Sequence, residues 1–66
     1  MNFDTLKIKM LMFDKKLNNK KLAERMEVSR QWLGVVLKRG YATFDYVNKL
    51  AKALEVEIED IVKMED

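Results

Sequence analysis

Asn19-Lys20-Lys21-Leu22-Ala23-Glu24-Arg25-Met26-Glu27-Val28-Ser29-Arg30-Gln31-Trp32-Leu33-Gly34-Val35-Val36 is the stretch on which the reading of this chain turns. Leu22, Ala23 and Met26 recur at helical spacing, and Leu33, Val36 and Leu37 do so again beyond Glu27 and Val28. Ser29 supplies a hydroxyl of the kind that caps a new helix. The spacing predicts two short helices joined by a tight turn. The first covers about 19–26 and the second about 30–39, with Gly40 as its stop. At 100° per residue, Leu33, Val36, Leu37 and Trp32 fall on one side of the second helix. Gln31, Gly34, Val35 and Lys38 fall on the other, with Arg30 at its start.

N-terminal to this pair, Asp4 is placed to cap a helix reaching about Lys16, and Asn18-Asn19 breaks it and offers the next cap. Leu6, Met10, Phe13 and Leu17 recur at helical spacing, while Phe3, Ile8, Leu11 and Met12 widen the apolar surface. So broad an arc predicts cover from more than one side. C-terminal to the pair, Thr43 caps a helix that turns Phe44, Val47, Leu50, Ala51 and Leu54 inward, and Asp45 suits its positive end. A fifth, short helix over about 57–64 would bury Ile58, Ile61 and Val62. Val56-Glu57-Ile58 reads alternatively as a short extended segment. The expected fold is all-α, five helices in one domain spanning 1–66.

Sixty-six residues lie near the lower limit at which a core holds without staples. There is no Cys for a disulfide or thiolate metal site, and no His, which leaves carboxylates as the common metal ligands. The cluster Glu55, Glu57, Glu59 and Asp60 lacks the spacing of a calcium loop and reads as a solvated helix start. Without His or Cys, a nucleophile would rest on Ser29, which the cap already explains, so no enzymatic activity and no cofactor are expected. Met10-Leu11-Met12-Phe13 is too short to span a bilayer, and no signal-peptide pattern opens the chain. With 48% hydrophobic residues the chain should fold. A soluble, cytoplasmic domain is the expectation.

The net charge of +2 conceals an asymmetry. Residues 1–40 hold ten Lys and Arg against four acids, a net +6, whereas 41–66 hold three against seven, a net −4. A basic front and an acidic rear would orient the domain toward a polyanion. Lysines that merely keep a small protein soluble are the plainer reading.

Taken together, these residues resemble the Cro and phage-repressor family of helix-turn-helix regulators over roughly 6–62. Leu22-Ala23 sits where that family has its Leu-Ala pair, and Met26, Val28, Leu33 and Val36 occupy its apolar positions. Ser29 matches its Ser or Thr cap, and Leu50-Ala51-Lys52-Ala53-Leu54-Glu55-Val56 is similar to its Leu-Ala-x-Ala-Leu-Gly-Val ending. Glu27 and Glu55 stand where the family usually has Gly. A left-handed backbone there would cost ~1 kcal/mol that Gly avoids. Leu37 replaces a frequent Glu, and the loop after the second helix of the pair is one residue longer.

The resemblance implies a compact bundle that lays the 30–39 helix in the major groove of an operator. Its base-reading residues map onto Arg30, Gln31, Gly34 and Val35. Arg suits the O6 and N7 acceptors of guanine, Gln suits adenine, and Val35 suits a thymine methyl. Gly34 costs ~1 kcal/mol in mid-helix relative to Ala. Close approach to DNA would justify it, as would packing against another helix. Phosphate contacts are expected from Asn19, in the family's Gln position, and from Lys20 and Lys21 beside it. Lysines there are disfavoured by the helix dipole, a fault that a phosphate would remove. Ser29 either joins them or only caps, and Lys38, Arg39 and Tyr41 would touch the other flank. Trp32 is expected in the core.

One module contacts too little DNA for tight specific binding, typically ~600–1,000 Å² of protein surface. A homodimer on a two-fold operator is therefore expected, with half-sites about one turn (~34 Å) apart. Ile58, Ile61, Val62 and Met64 are the candidates for its interface, though all four would equally close a monomeric core. The reading is a DNA-binding transcriptional regulator, a repressor of phage or mobile-element origin, with no small-molecule ligand evident. The alternative is a helical protein-interaction module, such as an antitoxin or a phage-encoded inhibitor.

Overall fold

Asp4, Asn18, Ser29 and Thr43 each accept a backbone N–H at the head of a helix, over 3.1, 2.8, 3.2 and 3.3 Å. These caps satisfy donors that a helix start leaves orphaned. They open α1 (Thr5–Asp14), α2 (Asn19–Met26), α3 (Arg30–Arg39) and α4 (Phe44–Ala53) in a computed structural model that describes residues 1–63. All four starts are those read from the sequence.

The helix ends follow one device. Lys16, Glu27, Gly40 and Glu55 are left-handed, with φ of 57°, 57°, 83° and 60°. After α1, α2 and α4 the chain doubles back, so that Leu17, Val28 and Val56 donate to the carbonyls of Met12, Ala23 and Ala51 at 2.8, 3.1 and 3.0 Å. Lys16 is why α1 stops at Asp14, two residues short of expectation. Glu27 and Glu55, which stand where the resembled family usually has Gly, are both left-handed and carry the strain that Gly would avoid.

Where a fifth helix over 57–64 is predicted, the chain makes one 3-10 turn, Ile58–Asp60. Of the alternative extended segment Val56-Glu57-Ile58, Glu57 is extended, whereas Ile58 belongs to the turn. The turn cannot grow because the following backbone is engaged elsewhere. Ile61 O accepts from Asp4 N–H at 2.7 Å, Lys63 N–H donates to Asn2 O at 3.0 Å, and Phe3 and Val62 form an antiparallel bridge. A second bridge joins Asn2 to Tyr41. Residues 2–4 thus tie the α3–α4 loop to the C-terminal segment, a non-local arrangement with no local signal. Among the described residues the fold is all-α, with four helices and this turn.

Leu22, Ala23 and Met26 of α2, Leu33, Val36 and Leu37 of α3, and Val47, Leu50, Ala51 and Leu54 form the core as expected. The α1 reading needs correction. Ile8 and Met12 are buried, whereas Leu6, Met10 and Phe13 are 67%, 58% and 83% exposed. The two rows lie on nearly opposite sides of the helix, and only one side is covered. Thr5 Oγ1 donates to Leu37 O at 3.1 Å, which holds the Ile8 and Met12 side inward. Trp32 and Phe44 are also outside, at 46% and 56% exposure. Trp32 lies at the edge of α3's buried arc, and Phe44 is the uncovered first residue of α4.

Of the residues read as a dimer surface, Ile61 is fully buried and Ile58 and Val62 are half-buried. Ile61 therefore closes the monomer's own core and offers nothing to a second chain. Met64 lies outside the described residues. No helix among the described residues is long and apolar enough to cross a membrane.

Phe3→Ala should cost about 3 kcal/mol or more in urea unfolding, the usual loss for a buried Phe. Phe13→Ala should stay within about 0.5 kcal/mol, as for an exposed residue. Equal losses would return Phe13 to the core. Glu27→Gly should stabilise the domain by about 0.5–1 kcal/mol, since the relief of left-handed strain exceeds the extra entropy of an unfolded Gly. An unchanged or lower melting temperature would show that the turn carries no such strain.

Candidate nucleic-acid interface

The polar face of α3 exists because its apolar face is used up by α2 and the core. Leu33 and Val36 are fully buried, and Ala23, with 3% exposure, brings no bulk to hold α2 away. Arg30, Gln31, Val35 and Lys38 are consequently exposed on the outer side, and Gly34 is half-buried. The four residues read as base contacts share this face with Lys38.

Neither α2 nor α3 has an acidic residue in its first turn. Both positive helix ends are left unneutralised, the condition under which they attract an anion. Among the described residues the one ion pair is Arg25 with Glu55, at 3.5 Å and away from this face. Arg25 Nη1 also donates to Ala53 O at 3.2 Å, which ties α2 to α4. Arg30, Lys20, Lys21 and Lys38 have no carboxylate partner among the described residues.

A cleft of about 470 Å³ opens between α1 and α3. Asn19, Gly34 and Lys38 line it, so a residue read as a phosphate ligand, one read as a base contact and a flanking lysine come together. Met12, Leu17 and Leu37 supply apolar lining, and Lys9 and Phe13 contribute from α1. Asn19 Nδ2 lies 4.0 Å from where a Cβ on Gly34 would stand, and nothing else is near. Gly34 is therefore not demanded by internal packing. Lys9 is the residue that sequence reasoning missed. Its charge was counted, but only the fold, which sets α1 across from α3, places it at this cleft.

The remaining residues divide. Lys20 and Lys21 are exposed in the first turn of α2 and do not line the cleft. Ser29 Oγ accepts from Trp32 N–H, so it caps, and its hydroxyl proton remains free to donate. Beyond α3, Arg39 Nε donates to Tyr41 O at 2.9 Å, and the Arg39 guanidinium lies against the Trp32 and Tyr41 rings. The Tyr46 hydroxyl nearby is buried without a hydrogen-bond partner in the described structure. Burial raises its pKa above the ordinary tyrosine value, and the Arg39 cation draws it partly back.

The exposed polar face of α3 thus adjoins a cleft lined by Lys9 and Lys38. A family model described as the Cro/C1-type HTH DNA-binding domain matches residues 7–66. The chain belongs to that family. Compared with curated proteins and with solved structures, it matches none. Membership makes double-stranded DNA the partner of the chain and transcription regulation its setting. The helix-turn-helix of this family member is α2, the Glu27 turn and α3.

Gly34→Ala should raise the melting temperature, because the space is open and Ala is the better helix former by about 1 kcal/mol. Gly34→Glu should leave the fold intact and abolish DNA binding, since it fills the approach with bulk and negative charge. Full duplex affinity in the Glu variant, measured by fluorescence anisotropy, would show that position 34 stays clear of DNA.

Proposed function

We propose that this chain is a transcriptional repressor of phage or mobile-element origin, acting in the cytoplasm as a homodimer on a two-fold operator. It has no enzymatic activity of its own and needs no cofactor. Arg30, Gln31, Gly34 and Val35 read base edges, and Asn19, Lys20, Lys21, Ser29, Lys38, Arg39 and Tyr41 hold the flanking phosphates. The observation that carries this reading is the cleft in which Asn19, Gly34 and Lys38 meet beside the outer face of α3. Lys9 joins the phosphate contacts on the same ground. Ile58 and Val62, half-buried, are the described apolar residues left from the expected dimer surface.

The exposed row of Leu6, Met10 and Phe13 favours a second reading, a module whose main surface binds protein. Exposed apolar residues on one face mark interaction sites. Selection of duplexes from a random library separates the two. A recovered palindrome supports the repressor, and indifference to DNA even at low salt supports the interaction module.

Gln31→Ala should cost about 1–3 kcal/mol and relax selectivity at one base pair. Lys38→Ala and Lys9→Ala should weaken every duplex alike and each reduce the salt slope by about one. Variants that fold and bind as the parent does would show that neither α3 nor the cleft faces DNA.

A further inference from the structure

Arg39, the last residue of α3, is held by its neighbours in three ways. Its guanidinium carbon lies 5.0 Å from the centre of the Trp32 ring and 4.4 Å from that of Tyr41. Both distances are within the range at which a ring attracts a cation. Its Nε donates to the Tyr41 carbonyl at 2.9 Å. The holders are themselves fixed. Trp32 stands on α3 about two turns before Arg39, and Tyr41 is bridged to Asn2. Of the five donors of the guanidinium, those on Nη1 and Nη2 make no hydrogen bond among the described residues.

We propose that Trp32 and Tyr41 are positioning residues that hold the Arg39 guanidinium ready for a phosphate flanking the major groove; this rests on the DNA-binding reading above. A free arginine loses much rotamer freedom when it binds a phosphate, and one already stacked and hydrogen-bonded loses less. The guanidinium's fork geometry suits two phosphate oxygens at once, and here the donors left over are those of the fork. Neither ring belongs to the core, with Trp32 46% and Tyr41 51% exposed, so their packing role is small. Trp32 thus acquires a role on the surface after losing the core role expected of it.

The test is a double-mutant cycle in the full chain, read as the dissociation constant and its salt dependence for a duplex selected from a random library. Trp32→Leu is expected to weaken binding about twofold to fivefold, the worth of one exposed cation–ring contact. The salt slope should not change, because the charge still reaches the phosphate. Trp32→Phe, which keeps a ring, should restore most of the affinity. Arg39→Ala should lower the slope by about one, and adding Trp32→Leu to it should do nothing further. In the free protein, Arg39→Ala should shift the emission of Trp32, the chain's one tryptophan. Should Trp32→Leu fail to fold, Tyr41→Leu set against Tyr41→Phe reads the same coupling from the other ring. Equal losses from the ring substitution with and without Arg39 would overturn the positioning role and leave DNA binding standing. A wild-type salt slope in Arg39→Ala would overturn it too. A parent chain that binds no duplex at low salt would defeat the DNA reading itself, and this proposal with it.

Discussion

What α3 presents on its outer face depends on the left-handed backbone at Glu27. That single residue reverses the chain, so that Val28 N–H reaches back to Ala23 O at 3.1 Å and Ser29 arrives in position to cap α3. The angle between α2 and α3 follows from it, and with that angle the burial of Leu22, Met26, Leu33 and Val36 on one side. The outer face is then fixed by subtraction. A Glu in this conformation is strained by about 1 kcal/mol, and the apolar contacts it permits outweigh that strain many times, since each buried Leu or Val is worth about 1.5–3 kcal/mol. The turn is held by its consequences more than by its own chemistry.

Capping explains why so much of the architecture was legible. Asp4, Asn18, Ser29 and Thr43 act on donors three residues away, so their meaning is contained in short stretches of sequence. The left-handed ends are local in the same sense. The choice between the two apolar rows of α1 is not. Leu6, Met10 and Phe13 repeat at helical spacing as clearly as Ile8 and Met12 do. What decides is Thr5 reaching the Leu37 carbonyl, a contact across 32 residues. The short 3-10 turn escaped for a related reason, because the groups that stop it belong to residues 2–4.

The site divides along the same line. Arg30, Gln31 and Val35 share one face by helical arithmetic alone, and the structure leaves them exposed there. Lys9 and Phe13 enter only because the fold sets α1 across the cleft from α3. Trp32 lies at the margin of the buried arc, where a modest rotation decides between core and surface. No periodicity settles such a case, and an arginine two turns further on evidently supplies the ring with a partner.

The expected dimer surface failed at Ile61 because a chain this small has few residues to spare. Ile61 closes the core to which Phe3 also belongs, and Val62 is bridged to Phe3. The large exposed apolar side chains lie elsewhere, at Met1, on α1 and α3, and around the start of α4. The ties made by residues 1–4 have a further consequence for the interface. Phe3 N–H donates to Gly40 O at 3.0 Å and Ala42 N–H donates to Met1 O at 3.1 Å, so the loop carrying Tyr41 is pinned on both sides. A loop at the edge of a binding surface would ordinarily be among the less stable parts of a domain. Here it is stitched to the segment that also holds the C-terminal turn. Core closure and the presentation of Arg39 and Tyr41 are therefore one structural event, and damage at Phe3 should reach both.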